Sequence, residues 1–163
     1  MILALALLAL FAPQQTADPT LPPAAAHVRY TVEGHGVQTY NCTAQNGSFA
    51  WVFEEPAAGL FDPKTHQQIG VHTAGPTWTW SDGSSITGKV LQTRPSDNPA
   101  NIPWLLLETH PTGTTTGALS NITFVRRSDT QAGKAPTTGC DTKNVNVVLR
   151  VPYAATYTFY STN

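Results

Sequence analysis

The sequence predicts an all-β fold, an antiparallel β-sandwich or barrel of roughly nine strands with one long-range disulfide. Three features predict it: segments in which apolar and polar residues alternate, turns rich in Gly and Pro about 8–12 residues apart, and two widely separated cysteines. After residue 26, no long run of Ala, Glu, Lys and Leu indicates a helix. With 163 residues, the chain has the length of one domain.

The amino-terminal sequence MILALALLALFA is apolar but shorter than a membrane-spanning helix, which is typical of a signal peptide core. No Lys or Arg precedes this run, and Pro13 argues against cleavage directly after it. Ala17 and residues 24–26 (AAA) offer other cleavage sites. We interpret residues 1–26 as a signal peptide and a Pro/Ala-rich spacer, and residues 27–163 as a single β-rich domain. The protein is therefore predicted to be secreted and extracellular, with a lipid-facing anchor or a misassigned start as the alternatives.

The strands follow from the alternation of residue character along the chain. Val28, Tyr30 and Val32 alternate with polar residues, as a strand with one buried face requires. The GHG sequence at 34–36 and the NG pair at 46–47 are typical of turns, the second of a tight hairpin. We predict strands at 28–32, 37–43, 49–53, 69–80 with an interruption at 75–76, 86–93, 102–108, 117–126, 144–151 and 153–160.

Turn residues separate these strands. Residues 56–60 (PAAGL) are predicted to end the third strand, and residues 81–84 (SDGS) to form a turn in which glycine supplies a positive φ. The pair Arg126-Arg127 is interpreted as a surface strand end. The last strand can be assigned face by face, and one face is predicted to be core: Tyr153, Ala155, Tyr157 and Phe159.

Charged residues make up 12% of the chain, about half the share usual in soluble proteins. The whole chain has 10 acidic and 9 basic residues, and residues 1–26 contain one of the acids, Asp18. The predicted domain therefore has 10 − 1 = 9 acidic residues, and its formal net charge is zero. Basic residues do not cluster beyond one adjacent pair, so we predict neither nucleic acid nor an anionic membrane surface as a partner.

The two cysteines, Cys42 and Cys140, are predicted to form a disulfide, because an isolated distant pair in an exported chain is typical of one. A metal site is the weaker alternative, since neither cysteine has a close Cys or His neighbour in the sequence. Asn46 and Asn121 begin N-x-[ST] sequons and are candidate glycosylation sites. A third sequon, at Asn41, overlaps the first cysteine.

Motifs of the common catalytic classes are missing from the sequence. There is no G-x-S-x-G elbow, no H-E-x-x-H and no phosphate-binding G-x-x-x-x-G-K-[ST] loop. The GHG sequence at 34–36 is only a fragment of a dinucleotide fingerprint. The five histidines form neither H-x-H nor H-x-x-x-H. We therefore predict no cofactor and no metal.

The segment from His72 to Ser84 is the densest in side chains that bind ligands. Indole faces stack on sugar rings and other flat ligands, and Trp78 and Trp80 share one face of a strand. His72 and Asp82 would orient such a ligand or form an acid–base pair. In the alternative interpretation, the indoles fill the core and the Asp82-Gly83 pair makes a hairpin turn. The predicted ligand-binding residues are His72, Trp78 and Asp82, with Gln38, Tyr40 and Trp104 as further candidates.

Several short motifs extend over residues 27–160. They are GVQTYNC at 36–42, Trp51, HTAGPTW at 72–78, DGS at 82–84, IPWLL at 102–106, Thr130, Gly133, AP at 135–136, Cys140 and VPY at 151–153. In this order they resemble the family catalogued as domain of unknown function 3455. The resemblance implies a secreted fungal or bacterial protein without an agreed activity, with both cysteines at family positions. Some members carry a malate dehydrogenase label, which the missing nucleotide fingerprint contradicts here.

The leading functional hypothesis is a non-enzymatic binding or structural module at the cell surface or wall, with a shallow site for a glycan or wall polymer. The alternative is a hydrolase-like or metal-assisted enzyme that uses His72 and Asp82. The environment of His72 distinguishes these possibilities. An exposed imidazole beside an indole and a carboxylate would support a site, whereas a buried imidazole bonded to the backbone would argue against both roles of this histidine.

Overall fold

The structure is a computed structural model that describes residues 17–114 and 116–163. Within these ranges the chain forms eight strands and no helix, which confirms the all-β prediction. Strands adjacent in sequence pair antiparallel, and the first also pairs with the last, so the sheet closes into a barrel. The strands are β1 (His27–Gln45), β2 (Ser48–Phe61), β3 (Gln68–Thr73), β4 (Thr77–Trp80), β5 (Ser85–Arg94), β6 (Trp104–Pro111), β7 (Phe124–Ala132) and β8 (Val148–Ser161).

β1 continues through residues 34–36, so the turn predicted there is wrong. A Cβ atom at Gly34 would lie 2.5 Å from a ring carbon of Tyr157, and one at Gly36 would overlap the backbone of β2. Glycine inside a strand often marks such a close approach. The GHG sequence therefore lets the strand pack closely against its neighbours.

β2 and β8 also run through prolines that the sequence analysis places at strand ends, Pro56 and Pro152. Pro56 precedes Ala58, where the pairing of β2 with β3 ends, and Pro152 precedes Tyr153, where the pairing of β8 with β7 ends. Each proline thus lies where a long strand extends past a shorter neighbour. Proline is tolerated at such an edge because its missing N–H has no strand to bond.

The prediction of a strand at 117–126 is wrong in its position. β7 begins at Phe124, and the residues before it form turns that bring Leu119 and Ile122 into the core. The predicted strand at 144–151 likewise starts later, at Val148. Predicted segments fuse in β1 and in β8, and the 69–80 segment divides into β3 and β4, so roughly nine predicted strands become eight among the described residues.

One part of the barrel interior is filled by apolar side chains, and we call it the packed part. The predicted core face of the last strand is confirmed, since Tyr153, Ala155, Tyr157 and Phe159 are all buried. The Phe159 ring lies edge-on against Trp80, with ring centroids 5.3 Å apart. The packed part consists of Leu60, Ile86, Leu119, Ile122, Val125 and Phe159.

The predicted disulfide is confirmed: Cys42 and Cys140 are joined, with Cα atoms 5.3 Å apart. The bond connects the long β1–β2 hairpin to the segment between β7 and β8. Two hydrogen bonds fasten the same pair of elements, from the Tyr40 hydroxyl to the carbonyl of Gly133 at 2.7 Å and from Trp51 Nε1 to the carbonyl of Thr138 at 3.0 Å.

Residues 18–20, within the predicted spacer, pack against the barrel, and we call them the N-terminal clasp. Arg126 donates from Nη2 to the Asp18 carboxylate at 2.8 Å and from Nε to the Thr20 hydroxyl at 3.3 Å. Thr20 is fully buried. The apolar run assigned to the signal peptide lies outside the described residues. In the part of the chain that is described, no helix has the length and apolar character needed to cross a membrane.

Candidate functional site

A cavity of about 490 Å³ lies inside the barrel beside the packed part, and its lining is mainly apolar. All the strands contribute to it, because inward-facing side chains alternate with outward-facing ones along each strand. Exposed side chains of Phe53 and Val90 lie at its mouth. Four residues predicted from the sequence line this cavity: Gln38, Tyr40, His72 and Trp78.

His72 and Trp78 lie directly opposite each other on β3 and β4. Their rings stack with centroids 4.6 Å apart and an angle of 5° between the planes. The edge of His72 also packs against the ring of Tyr157, at 5.2 Å. His72 is 2% exposed and Trp78 is 1% exposed. These rings therefore form a fixed aromatic wall of the cavity and do not form the shallow surface site that the sequence predicts.

The imidazole of His72 is held in one neutral form. Its Nδ1 lies 2.9 Å from the carbonyl oxygen of Thr77, and a carbonyl only accepts, so Nδ1 carries the proton. Burial is the main cause that lowers the pKa of His72 to about 4; the Thr77 carbonyl opposes it, and the nearby charge of Arg127 adds to it. The ring is consequently uncharged at neutral pH, and Nε2 is left as a hydrogen-bond acceptor.

Gln38 and Tyr40 come from β1, two residues apart and therefore on one face of the strand. Burial raises the pKa of Tyr40, whose hydroxyl is engaged with the Gly133 carbonyl. Gln38 is 2% exposed, yet its Nε2 has no hydrogen-bond partner among the described residues. The Nε1 of Trp78 is also buried and unpartnered there. Buried polar groups are usually hydrogen-bonded, so two unpartnered donors among the residues that line one cavity require an explanation.

Arg127 lines the cavity but is not predicted from the sequence, in which the pair Arg126-Arg127 suggests a surface strand end. The pair lies inside β7, and the two side chains point to opposite faces. Arg127 lines the cavity and donates from Nε and Nη2 to the carbonyl of Pro103, at 3.1 and 2.9 Å. Residues two apart on a strand share a face, and Val125 is buried, so Arg127 also points inward. This argument requires the limits of β7.

Tyr157 of β8 also lines the cavity, and Tyr153 lies behind it in the core. The hydroxyl groups of Tyr153 and Tyr157 lie 3.0 Å apart and bond to each other. Burial raises the pKa of both, and Arg127 partly offsets this effect. Both phenols are therefore uncharged over the physiological range.

The other two predicted site residues lie elsewhere. Asp82 is in the β4–β5 turn, where its carboxylate accepts hydrogen bonds from Ser84 and from the backbone N–H of Ala118. These hydrogen bonds, the Ser84 hydroxyl first, lower the pKa of Asp82. Trp104 faces away from the cavity, between the guanidinium groups of Arg94 and Arg126 at 4.3 and 5.0 Å from its ring.

The hypothesised acid–base pair of His72 and Asp82 is not assembled. His72 is buried and bonded to the backbone, and Asp82 is occupied by its own turn, at the far end of β4 from the His72–Trp78 stack. No cluster of three or more His, Cys, Asp or Glu arranged for a metal ion occurs within residues 17–114 and 116–163. The geometry is that of a chamber with an apolar surface and a few directed polar groups.

Comparison with known proteins gives one result. A family model described as "Protein of unknown function (DUF3455)" matches residues 22–161, which include the whole barrel and both cysteines. No curated protein and no solved structure matches the chain.

Proposed function

The chain belongs to the DUF3455 family, which has no stated activity, and from this premise we propose that it is a secreted, non-enzymatic protein that binds a small, mainly apolar ligand inside its barrel. The main observation that supports this proposal is the cavity. Its volume of about 490 Å³ falls within the range of roughly 300–1,000 Å³ typical of ligand sites. Antiparallel barrels of this strand number have an interior wide enough for one small ligand.

A small ligand fits the site better than the glycan or wall polymer expected from the sequence. A polymer needs an open groove along which several units lie. Here the indole of Trp78 is buried and one of its faces is covered by His72. The apolar lining supports burial of an apolar molecule, which releases water from both surfaces.

Export is part of the proposal, and the apolar amino-terminal run and the disulfide support it. The N-terminal clasp favours one cleavage site. Cleavage after residues 24–26 would remove Asp18 and Thr20, leaving Arg126 without these partners. We expect cleavage after Ala17 instead. The intact mass of the secreted protein tests this expectation, and a mature chain that begins at His27 would contradict it.

Titration with N-phenyl-1-naphthylamine, a neutral apolar probe that fluoresces in apolar surroundings, tests binding in the barrel. We expect saturable binding with one site per chain. Val90→Trp should weaken binding at least tenfold, because the larger side chain fills the mouth of the cavity.

Val148→Trp is the matched control, since Val148 is 47% exposed, Val90 is 48% exposed, and Val148 does not line the cavity. We expect its affinity for the probe to stay within twofold of the wild type. Absence of saturable binding, or equal losses in both variants, would refute a ligand site inside the barrel.

A further inference from the structure

Arg127 brings a positive charge into the cavity. Its guanidinium donates to a neutral carbonyl, that of Pro103. It forms no ion pair with any carboxylate in the described ranges. The other charged side chain of the lining is Glu54, which is exposed. His72 adds no charge at neutral pH, because burial lowers its pKa.

A guanidinium beside an apolar lining is costly unless an anion pairs with it. The carbonyl of Pro103 accepts two of its N–H groups and the Tyr157 hydroxyl is a partner for another, whereas the guanidinium has five. Arginine is the side chain best matched to carboxylate, because its planar fork makes two parallel hydrogen bonds. The remaining N–H groups of Arg127 therefore suit a carboxylate group of the ligand.

Two neutral hydrogen-bond donors in the cavity lining also favour a ligand that carries acceptor atoms. The Nε2 of Gln38 and the Nε1 of Trp78 are buried donors without a partner in the described structure. Tyr153 and Tyr157 bond to each other. The cavity lining thus includes three side chains with unused hydrogen-bond donors, Arg127, Gln38 and Trp78, so it suits a ligand with several acceptor atoms.

We propose that the ligand is an amphiphilic carboxylic acid, bound as its carboxylate by Arg127 with help from Gln38 and Trp78. Its apolar body would lie against the apolar lining, which includes Leu105 and Leu107. This inference rests on the proposed function and adds the chemical class of the ligand. It assigns Arg127 as the residue that determines specificity.

Calorimetric titration with decanoate and 1-decanol at pH 7.5 tests the proposal, because these probes share an alkyl chain of the same length and differ in the head group. We expect the wild-type protein to bind decanoate at least tenfold more tightly than decanol. Arg127→Gln should remove this difference while leaving the affinity for decanol within about threefold. Arg150→Gln removes an exposed charge outside the cavity and should preserve the preference.

The outcomes separate the two proposals. Equal binding of decanoate and decanol by the wild type would overturn the carboxylate assignment and leave the ligand site standing. Loss of the preference in Arg150→Gln as well would show a general charge effect, and would also overturn it. If neither decanoate, decanol nor the neutral naphthylamine probe binds, the ligand site itself fails. If Arg127→Gln does not fold, the wild-type comparison and Arg127→Lys, expected to keep part of the preference, decide the question.

Discussion

The packed part and the cavity are two regions of one barrel interior, built from the same strands. In β7, buried Val125 belongs to the packed part, and Arg127, two residues later on the same face, lines the cavity. In β8, Phe159 is packed and Tyr157 borders the cavity. The same strands therefore surround both regions, and the regions differ in the side chains that fill them.

The turns before β7 help to fill the packed part. The turns that precede β7 place Leu119 and Ile122 among the apolar side chains of the packed part. On the cavity side, the disulfide and the Tyr40 hydroxyl fasten the β1–β2 hairpin to residues 133–140 beside the barrel. No described residue of 116–123 lines the cavity. The turns before β7 therefore add apolar side chains to the packed part and none to the lining of the cavity.

The largest expected effect lies in the packed part. Phe159→Ala removes a fully buried ring and leaves a void, which costs about 3–5 kcal/mol of unfolding free energy. Val90→Ala, at the mouth of the cavity, should cost less than about 1 kcal/mol because Val90 is already half-exposed. Urea denaturation of both variants measures the contrast. Similar losses would mean that the two regions are equally well packed.

Breaking the disulfide is expected to have the next largest effect. The Cys42→Ser/Cys140→Ser double variant frees a loop of 98 residues in the unfolded chain, and we expect a loss of about 2–4 kcal/mol. Thermal unfolding with and without reductant measures it, and the double variant, which lacks the bond, should not respond to reductant. An unchanged melting temperature of the reduced wild type would contradict a stabilising role for this bond.

The smallest expected effect is on how the free energy of unfolding depends on pH, through His72 in the cavity lining. In the unfolded chain His72 takes up a proton near pH 6.5, whereas in the folded chain it does so only near pH 4. The stability contributed by neutral His72 is therefore complete above pH 6.5 and is lost as the pH falls towards 4, by at most about 3 kcal/mol. Tyr157, whose ring packs against His72, stays neutral through this window because burial raises its pKa.

His72→Phe keeps a ring against Trp78 and removes the titrating group. Urea denaturation at pH 7, 5.5 and 4.5 should show a smaller decline in this variant than in the wild type. Parallel declines in the two proteins would show that His72 is not the group responsible.

Much of the fold could be predicted from local patterns. The two cysteines, the alternation in the last strand and the positive φ of Gly83 are found as expected. The errors at residues 34–36, Pro56 and Pro152 share one cause, because glycine and proline are read as turns from sequence alone. At Gly34 and Pro152 the neighbouring strands decide otherwise, and one partner of each, Ala155 and Val37 respectively, lies more than 100 residues away along the chain.

The site was predictable only in part. Gln38, Tyr40, His72 and Trp78 are singled out from the sequence as aromatic or polar residues near one another or in shared motifs, and the structure brings them to one cavity. Asp82 lies apart, because the Asp-Gly turn engages its carboxylate locally. Arg127 has no distinguishing signal in the sequence, since its inward position depends on the limits of β7.

The sequence by itself determined that this chain is all-β, that its two cysteines pair, and which face of the last strand is core, because residue periodicity and local chemistry carry that information. Only the tertiary structure decided that the sheet closes into a barrel, that part of its interior stays unfilled, and that Arg127 points into it. Closure depends on pairing between β1 and β8, at opposite ends of the chain, and the space left inside depends on how all the inward side chains pack together.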